Sequence, residues 1–296
     1  MMLLDDDVTA DEGAGVSFLS PGFAYAACVF EGLCVYAGPS GPTIFRLDDH
    51  LRRLEASMRA VGFEGAPSRA VLRDRVLRAV AEARLDGDGH VRLMAFVDGE
   101  TRISSRGPVR TAVFAKQAGT RPSDRPGFHC HVASWRKPPD TAMPARIKCT
   151  SNYAIGRMAT LEAERAGADA AILLAHDGAV AEGATANLFV VRNGALCTPR
   201  LCDGILEGIT RDTLITLWNE SGRRPVEVRR IDRSELSDCA AAFFCGSLWE
   251  ISPVLSMDGV TVDPGHEAIT WLKRRYGQLV RGDVGGRDWS TPLRPK

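Results

Sequence analysis

The stretch 145–188 constrains this chain more than any other part of its sequence. It reads ARIKCTSNYAIGRMATLEAERAGADAAILLAHDGAVAEGATANL. A lysine in an apolar setting, Lys148, comes first, and the helical spacing of apolar residues then predicts a helix over 153–167. A short apolar run predicts a strand over 170–175, and Glu182 follows, just before a loop of small residues. The stretch therefore carries one cationic and one acidic side chain, separated by a helix and a strand.

Lysine is scarce in this sequence. The 37 basic residues include five lysines, which are Lys116, Lys137, Lys148, Lys273 and Lys296. A lysine that forms a Schiff base needs a lowered pKa, and burial among apolar groups provides it. Lys148 has apolar neighbours on both sides, whereas the others end a strand, lie in the RKPP loop, share a helix with arginines or end the chain. Elimination favours Lys148 as a Schiff-base lysine; the alternative is an edge-strand lysine whose amine reaches water.

Several polar groups would suit an aromatic aldehyde cofactor that carries a phosphate. A carboxylate such as Glu182 beside a pyridine nitrogen keeps that nitrogen protonated and strengthens the ring as an electron sink. The GIT segment at 208–210 opens a predicted helix, whose N-terminal N–H groups and Thr210 hydroxyl suit a phosphate. The CGS turn at 245–247 and Arg53 offer further donors. Each group also fits an ordinary role, as a solvated glutamate, a helix cap, a turn or an exposed helical arginine.

The order and spacing of these groups carry more information than any one of them. The sequence resembles the fold-type IV, class IV aminotransferases that use pyridoxal phosphate, and within them the branched-chain aminotransferases. The matching segments follow the family order and are AYAACVFEG (24–32), IFRLDDHLRRLEAS (44–57), VASWRKPPDTAMPARIKCTSNY (132–153), DGAVAEGATANLFVV (177–191), LEGITRDTL (206–214) and GSLWEISPV (246–254). They span most of the chain, and the region 132–214 is the most specific.

The resemblance implies a role for each matching residue. Lys148 would form the Schiff base with pyridoxal 5'-phosphate and carry the proton, Glu182 would pair with the pyridine nitrogen, and Tyr153 would hydrogen-bond the phenolic oxygen. Leu206 would pack on the ring, and the phosphate would be held by Arg53, Ile209, Thr210 and Ser247. The substrate pocket would be lined by Tyr25, Phe30, Arg92, Leu248 and Trp249. An arginine placed like Arg92 accepts the distal carboxylate of glutamate in the branched-chain enzymes.

The chain departs from the family pattern in and near the substrate pocket. Cys34 stands where the family often has arginine or lysine, and His90 stands where a pocket tyrosine is common. Ala186 replaces a Glu or Ser, and the pair 248–249, Leu-Trp, is bulkier than the usual small pair. Trp249 would narrow the side-chain pocket. The departures therefore leave the amino donor open while the cofactor assignment stands.

The pattern of elements predicts an α+β layer before residue 117 and a second domain after it. Strands are expected at 27–31, 33–36, 90–97 and 109–115, with two helices between them, the second capped by Ser68. Residues 90–97 alternate, which puts Arg92 on the face opposite Val91. The Gly- and Pro-rich segment 117–127 is the predicted linker, so the domains are 1–116 and 128–296. The resemblance implies an α/β fold with a small α/β sandwich domain and a larger β-barrel-like domain surrounded by helices.

Composition excludes several classes of protein. Acidic and basic residues number 37 each, so the formal net charge is zero and offers no electrostatic footprint for nucleic acid or for an anionic membrane. We expect no membrane span and no export signal, because no apolar run is long enough and the N-terminus is acidic. Eight scattered cysteines without a CxxC motif predict reduced thiols and a cytoplasmic protein. The HCH motif at 129–131 lacks an evident third ligand, so we expect no metal.

The function expected from the resemblance is a transaminase. It would move the amino group of a hydrophobic, branched-chain-like L-amino acid to 2-oxoglutarate by a ping-pong mechanism. The resemblance also implies a homodimer with its site at the domain interface. The alternatives are a specialised biosynthetic class IV aminotransferase with another amino donor, and a lyase similar to aminodeoxychorismate lyase. A non-enzymatic binding module is disfavoured because both Lys148 and Glu182 are present.

Overall fold

The structure is a computed structural model, and it describes residues 2–9, 15–282 and 288–293. The strands within these residues are β1 Met2–Leu4, β2 Asp7–Thr9, β3 Cys28–Tyr36, β4 Thr43–Phe45, β5 Gly89–Val97, β6 Val109–Gln117, β7 Phe128–Arg136, β8 Ala170–Leu174, β9 Val180–Gly183, β10 Asn187–Arg192, β11 Ala195–Thr198, β12 Glu227–Val228, β13 Ala241–Gly246, β14 Glu250–Met257, β15 Val260–Thr261 and β16 Ser290–Pro292. The helices are α1 Pro21–Ala24, α2 Leu47–Ala60, α3 Arg69–Ala83, α4 Tyr153–Arg165, α5 Ile209–Asn219 and α6 Glu267–Val280. Each helix within the described ranges is too short or too polar to cross a membrane.

The described residues form two compact units. The first unit comprises Met1–Gly119, Ile147–Ser151 and Gln278–Lys296, and the second comprises Thr120–Arg146 and Asn152–Gly277. The first boundary, at 119/120, falls inside the segment 117–127 that was predicted as a linker.

This division corrects the predicted continuous second domain over 128–296, because two segments of that range pair with strands of the first unit. Cys149 forms a β-bridge with Val29 of β3. β16 pairs with β4, with Ser290 opposite Phe45. Both contacts are backbone pairings between distant parts of the chain, which local hydrophobic patterns do not reveal.

The first unit is a seven-stranded sheet with helices packed against it. The strand order is β16-β4-β3-β5-β6-β1-β2, and every pairing is antiparallel. Its core contains apolar residues of α2 and α3 together with the alternate residues Val29, Leu33 and Val35 of β3. Burial of this apolar face is what attaches the helices to the sheet. The predicted strands 27–31 and 33–36 are thus one continuous strand, β3.

The second unit contains a nine-stranded mixed sheet. The described strands follow the order β12-β11-β10-β13-β14-β7-β8-β9, with β15 paired to β14 outside this path. β14 and β8 both run parallel to β7, and β12 runs parallel to β11, while the other pairs are antiparallel. A large apolar core includes Ile172, Leu188 and Phe244, all almost fully buried. The mixed α/β fold class predicted from the sequence is confirmed.

Candidate active site

Lys148 lies in a short extended segment that joins the sheet of the first unit. The backbone N–H of Phe30 donates to the carbonyl of Lys148 at 3.0 Å. The backbone N–H of Lys148 in turn donates to the hydroxyl of Ser57, on α2, at 3.2 Å. The next residue, Cys149, forms the bridge to Val29. The backbone of this lysine is therefore held between the edge of β3 and a helix.

The side chain of Lys148 shares an aromatic neighbour with Arg92. The Lys148 Nζ lies 5.0 Å from the centroid of the Phe30 ring, and the Arg92 Cζ lies 4.3 Å from the same centroid. Both distances are within the range of cation–π attraction. Arg92 is exposed on β5 whereas Val91 and Leu93 are buried, so the predicted alternation of this strand is confirmed. One buried ring thus holds a lysine and an exposed arginine in a single cluster.

Arg53 is fixed by a buried acidic residue. Its Nε donates to Glu31 Oε1 at 2.8 Å and its Nη2 donates to Glu31 Oε2 at 2.7 Å, a bidentate geometry. The Nδ1 of His50 lies 2.7 Å from Glu31 Oε2. Glu31 is completely buried, and it faces α2 from β3. The guanidinium predicted to bind phosphate is therefore anchored by a carboxylate behind it.

The charges of this cluster are set by burial and by close partners. Burial raises the pKa of Glu31, but the charge and hydrogen bonds of Arg53 and the hydrogen bond from His50 outweigh it and lower that pKa to about 2. Burial also lowers the pKa of His50, against the effect of Glu31. At neutral pH Glu31 is ionised and His50 is neutral, so the ring donates its Nδ1–H to the carboxylate.

Glu182 is the centre of a hydrogen-bond cluster in the second unit. Its Oε2 accepts from the Nδ2 of Asn187 at 2.8 Å and from the backbone N–H of Leu206 at 3.1 Å. Its Oε1 accepts from the Nζ of Lys137. The Glu182 side chain is 8% exposed and that of Lys137 is 12% exposed. The loop glutamate in water, which the sequence left open, is wrong, because this carboxylate is buried and ion-paired.

The residues predicted to bind phosphate in this unit lie at the start of a helix and at the end of a strand. Gly208 is the N-cap of α5, and Ile209 and Thr210 form the first turn, both buried. Ser247 follows the last residue of β13. The segment before α5 is held by Asn187, whose Nδ2 also donates to the carbonyl of Leu206 at 3.0 Å. Asn187 therefore links the Glu182 carboxylate to the approach of this helix.

The remaining predicted substrate residues differ in their surroundings. Trp249 packs against the core of the second unit, with ring centroids 4.9 Å from Phe128 and 5.4 Å from Phe244. Its Nε1 donates to Thr185 Oγ1 at 2.9 Å, so the indole is fixed at both ends. Leu248 is exposed beside it, and Tyr25 is exposed after α1. In the first unit, His90 pairs with Cys34 across the strands β5 and β3.

Two further sequence features have structural roles. His131 contacts both Glu162 and Asp258, at 3.2 and 3.1 Å, and His129 Nδ1 lies 2.8 Å from Ser256 Oγ. All eight cysteines are free thiols, and only Cys202 is exposed. Burial raises the pKa of several of these thiols, Cys28 to about 11 among them, so they remain protonated and act as small apolar side chains.

The sequence interpretation missed Glu31, His50, Lys137 and Asn187. A signal for Glu31 was available, because it occupies an inward position of β3 between Val29 and Leu33. An acidic residue at such a position requires buried partners. No local signal existed for Lys137, whose partner lies 45 residues away in the sequence. Tyr153 was expected to open a helix and does so, as the first residue of α4.

Comparison with known proteins places the chain in a family. The family model of amino-transferase class IV matches residues 28–257. A probable branched-chain-amino-acid aminotransferase of Aquifex aeolicus is 30% identical over 293 residues, which cover 96% of this chain and 94% of that protein. The branched-chain-amino-acid aminotransferase of Escherichia coli K12 is 32% identical over 264 residues, which cover 86% and 84% of the two chains.

Solved structures agree with these relatives. The branched-chain aminotransferase of Thermoproteus uzoniensis, solved with norvaline, superposes with a TM-score of 0.94 at 33% identity and covers 99% of both chains. The enzyme of Thermobaculum terrenum, solved in its PLP-form, gives a TM-score of 0.92 at 32% identity, covering 99% of this chain and 98% of that one. The predicted two-domain fold of fold-type IV is confirmed, as is pyridoxal phosphate as the cofactor. The chain belongs to the class IV aminotransferases, in the family of the branched-chain-amino-acid aminotransferases.

Proposed function

We propose that this chain transfers the amino group of a hydrophobic, branched-chain-like L-amino acid to 2-oxoglutarate. The observation that carries the proposal is the cluster on Phe30, which brings the predicted Schiff-base lysine and an exposed arginine to one aromatic ring. A lysine beside an arginine suits a substrate that reacts at one end and bears a carboxylate at the other. Glutamate and 2-oxoglutarate are such substrates.

The side chains present fit pyridoxal phosphate by their chemistry. The cofactor needs an amine for its aldehyde, an anionic partner for its pyridine nitrogen and donors for its phosphate. Lys148 would supply the amine, and the buried carboxylate of Glu182 would supply the anion. The first turn of α5, Thr210, Ser247 and Arg53 would supply phosphate donors. When bound, the cofactor supplies an electron sink for the electrons released at the substrate Cα.

Binding and orientation are assigned to separate side chains. Thr210, Ser247 and the backbone of Ile209 would hold the phosphate together with Arg53, which Glu31 keeps in place. Glu182 would accept a hydrogen bond from the pyridine N–H. Tyr153 would donate to the phenolic oxygen, and Leu206 would pack on the ring face.

Lys148 would move the proton. As a neutral amine its Nζ would take the proton from the Cα of the amino donor. As an ammonium it would return a proton to the Cα that 2-oxoglutarate contributes in the second half-reaction. Arg92 would bind the distal carboxylate of 2-oxoglutarate, and Phe30 would form an apolar wall that excludes water. Because the cofactor would stay bound while the first keto acid leaves before the second one enters, we expect ping-pong kinetics.

One experiment tests the cofactor and the lysine together. Purified wild-type protein reconstituted with pyridoxal phosphate is expected to be yellow and to form glutamate from leucine, isoleucine or valine with 2-oxoglutarate. Lys148→Ala is expected to lose both the visible absorption band and the turnover. A Lys148→Ala protein with full activity would refute the assignment. Glutamate formation that fails with all three donors would overturn the branched-chain substrate alone.

A specialised amino donor is the second candidate. The bulk and fixed position of Trp249 favour it, since its indole is held by Phe128, Phe244 and Thr185. A panel of other amino acids and amines against 2-oxoglutarate identifies such a donor. A lyase similar to aminodeoxychorismate lyase is distinguished by a turnover rate that does not depend on 2-oxoglutarate.

We further propose that the protein is a cytoplasmic homodimer. The eight free thiols support a reducing compartment.

Support for the dimer comes from a group of exposed apolar side chains in the first unit, here called the arm patch. It is made up of Val16, Phe18, Leu19, Phe23, Tyr25 and Ile103. Phe18 and Phe23 pack edge to face at 5.4 Å, and Thr101 Oγ1 donates to the Leu19 carbonyl at 2.5 Å, which joins the two loops. A group of exposed apolar side chains of this kind indicates an interaction site.

A further inference from the structure

We propose that Lys137 is a positioning residue, which holds the Glu182 carboxylate through an ion pair and leaves one of its oxygens available to the pyridine nitrogen. The inference rests on the proposed function, in which Glu182 accepts the pyridine N–H. It concerns a residue that the sequence interpretation set aside as part of the RKPP loop. The Lys137 and Glu182 side chains are in direct contact, and other donors fill the acceptor sites on the second carboxylate oxygen.

An ionised carboxylate offers about four lone-pair sites, two on each oxygen. Both sites of Glu182 Oε2 are taken, by Asn187 Nδ2 at 2.8 Å and by the Leu206 N–H at 3.1 Å. Among the described residues the contact made to Oε1 is the one from Lys137 Nζ. One acceptor site on Oε1 therefore remains for a ligand N–H. The neutral donors orient the group, and the oxygen with spare capacity is the one beside the ammonium.

Lys137 is itself held in place. Its backbone N–H donates to the carbonyl of Leu174, the last residue of β8, at 2.8 Å. Its Cβ lies 3.6 Å from the position that a side chain would take at Gly204, whose φ of +76° favours glycine. The turn at Gly204 therefore lies within van der Waals distance of the Lys137 side chain, close to its Cβ. Both partners of the ion pair are largely buried, so the contact is not a solvated surface pair.

Another cation lies near Glu182 without contacting it. Arg211 is buried, but its Nε donates to Thr198 Oγ1 at 3.1 Å and its Nη2 donates to the Pro199 carbonyl at 2.8 Å. Glu182 contributes only a long-range attraction to Arg211. Within the part of the chain that the structure describes, Lys137 is therefore the cation in direct contact with this carboxylate. Removing it leaves a buried acid with neutral donors, a setting that favours the protonated form.

The consequence for the reaction follows from where the proton resides. An ionised Glu182 stabilises a positive charge on the pyridine nitrogen, whereas a protonated Glu182 would donate to that nitrogen and leave the ring neutral. A neutral ring withdraws electrons less strongly, so the rate of proton removal at Cα falls while substrate binding is little affected. The loss of positive charge on the ring also makes the bound cofactor easier to protonate, which shifts the pH at which its visible band changes.

The test compares four variants as holoenzymes. Lys137→Met removes the charge and the donor, Lys137→Gln removes the charge alone, and Lys137→Arg keeps both. Lys116→Met is the matched control, because Lys116 is exposed at the end of β6. The measurements are the pH titration of the visible absorption band, and kcat and KM with leucine and 2-oxoglutarate. Circular dichroism confirms that each variant is folded.

We expect Lys137→Met and Lys137→Gln to raise the midpoint of the band titration by about one pH unit and to lower kcat by about tenfold or more, with KM nearly unchanged. Lys137→Arg restores both quantities to near wild type, and Lys116→Met changes neither. If Lys137→Met does not bind the cofactor, Lys137→Gln decides. A wild-type titration and kcat in both neutral variants would overturn the inference. A wild-type protein without a visible band would instead refute the proposed function.

Discussion

At the residue scale, the charged groups that matter most are those the chain has buried. Glu31 stands in an otherwise apolar strand and holds both Arg53 and His50. Desolvating an acid is costly, and two partners within 2.8 Å offset that cost. The arrangement fixes a guanidinium that a long flexible side chain would otherwise leave mobile. Removing one member of the cluster therefore has a large effect on stability.

We expect Glu31→Gln to lower the free energy of unfolding at pH 7 by about 3 kcal/mol, because it leaves the Arg53 charge buried without its anion. The folded-state pKa of Glu31, about 2, lies below its ordinary value of 4.5. The stabilisation is therefore fully present above about pH 4.5 and is lost as the pH falls toward 2. Urea unfolding at pH 7 and at pH 3 measures both effects, and the difference between variant and wild type shrinks at pH 3.

The matched control is Glu55→Gln, since Glu55 pairs with Arg69 at the surface of the same unit. Exposed pairs contribute about 0–1 kcal/mol, so this variant changes stability little. Equal decreases in the free energy of unfolding for Glu31→Gln and Glu55→Gln would show that the buried cluster contributes no more stability than a surface ion pair.

Arg92 gives a prediction about the substrate. Arg92→Leu is expected to raise the KM for 2-oxoglutarate by about tenfold to a hundredfold, because it removes a charge-assisted contact to the distal carboxylate. The half-reaction with leucine, followed by the loss of the visible band, keeps its rate. Arg59→Leu, at an exposed position of α2, serves as the control. An unchanged KM for 2-oxoglutarate would remove Arg92 from the acceptor site.

At the element scale, local signals predicted some segments well. The helix predicted over 153–167 is α4, Tyr153–Arg165, and Ser68 caps α3 by accepting from the Val71 N–H at 3.4 Å. The segment 147–151 was not predictable in this way, because its place is set by backbone bonds to Phe30 and Val29, more than a hundred residues away. Helices depend on nearby residues, whereas strand pairing depends on distant ones, and no local pattern encodes the distant partner.

Gly208 illustrates how an element is placed by close contact. A Cβ at this N-cap position would lie 1.8 Å from Asn187 Oδ1, and Asn187 is committed to Glu182 and Leu206. We expect Gly208→Ala to lower stability by about 1–3 kcal/mol and to weaken cofactor binding, since the start of α5 must shift. Thermal unfolding and titration with pyridoxal phosphate measure the two effects.

Gly277→Ala is the control for this substitution. Gly277 lies inside α6, and a Cβ there would meet nothing within 4 Å. Alanine is the better helix former, so this variant gains about 0.5–1 kcal/mol. A Gly208→Ala protein as stable as wild type, with unchanged cofactor affinity, would contradict the role given to the Asn187 contact.

At the scale of the whole molecule, the arm patch predicts association. Phe18 is 78% exposed and Ile103 is 85% exposed, values unusual for large apolar side chains in a chain that is alone in solution. We expect the double variant Phe18→Ser and Ile103→Ser to shift the protein from dimer to monomer at micromolar concentration. Light scattering after size-exclusion chromatography measures the mass.

The control for association is Val228→Ser, which changes an exposed apolar residue of the second unit. This variant keeps the wild-type mass. A double variant that also keeps the wild-type mass would place the dimer contact elsewhere, and a monomeric wild type would refute the dimer.

The sequence was most informative where family motifs and chemistry coincide, and least informative about what holds them. The fold class, the cofactor and the family were all accessible from Lys148, Glu182 and the segments around them. The supporting groups could not be predicted. In the sequence, Lys137 has the pattern of a loop residue and Glu31 is one acidic residue in a strand. Their meaning depends on partners brought near by folding, and a single sequence does not list those partners.

The pairing of β16 with β4 also has a consequence for how the protein is made. Ser290–Pro292 form the outermost strand of a sheet whose other strands end at Gln117, apart from the inserted bridge at Cys149. The ribosome adds residues in sequence order, so β16 is synthesised only after the second unit. Until then, the edge of β4 that β16 covers has no partner strand. The nascent first unit must keep β4 unpaired on that side throughout this time. Loss of the late segment 290–292 would therefore harm the part of the protein that was translated first.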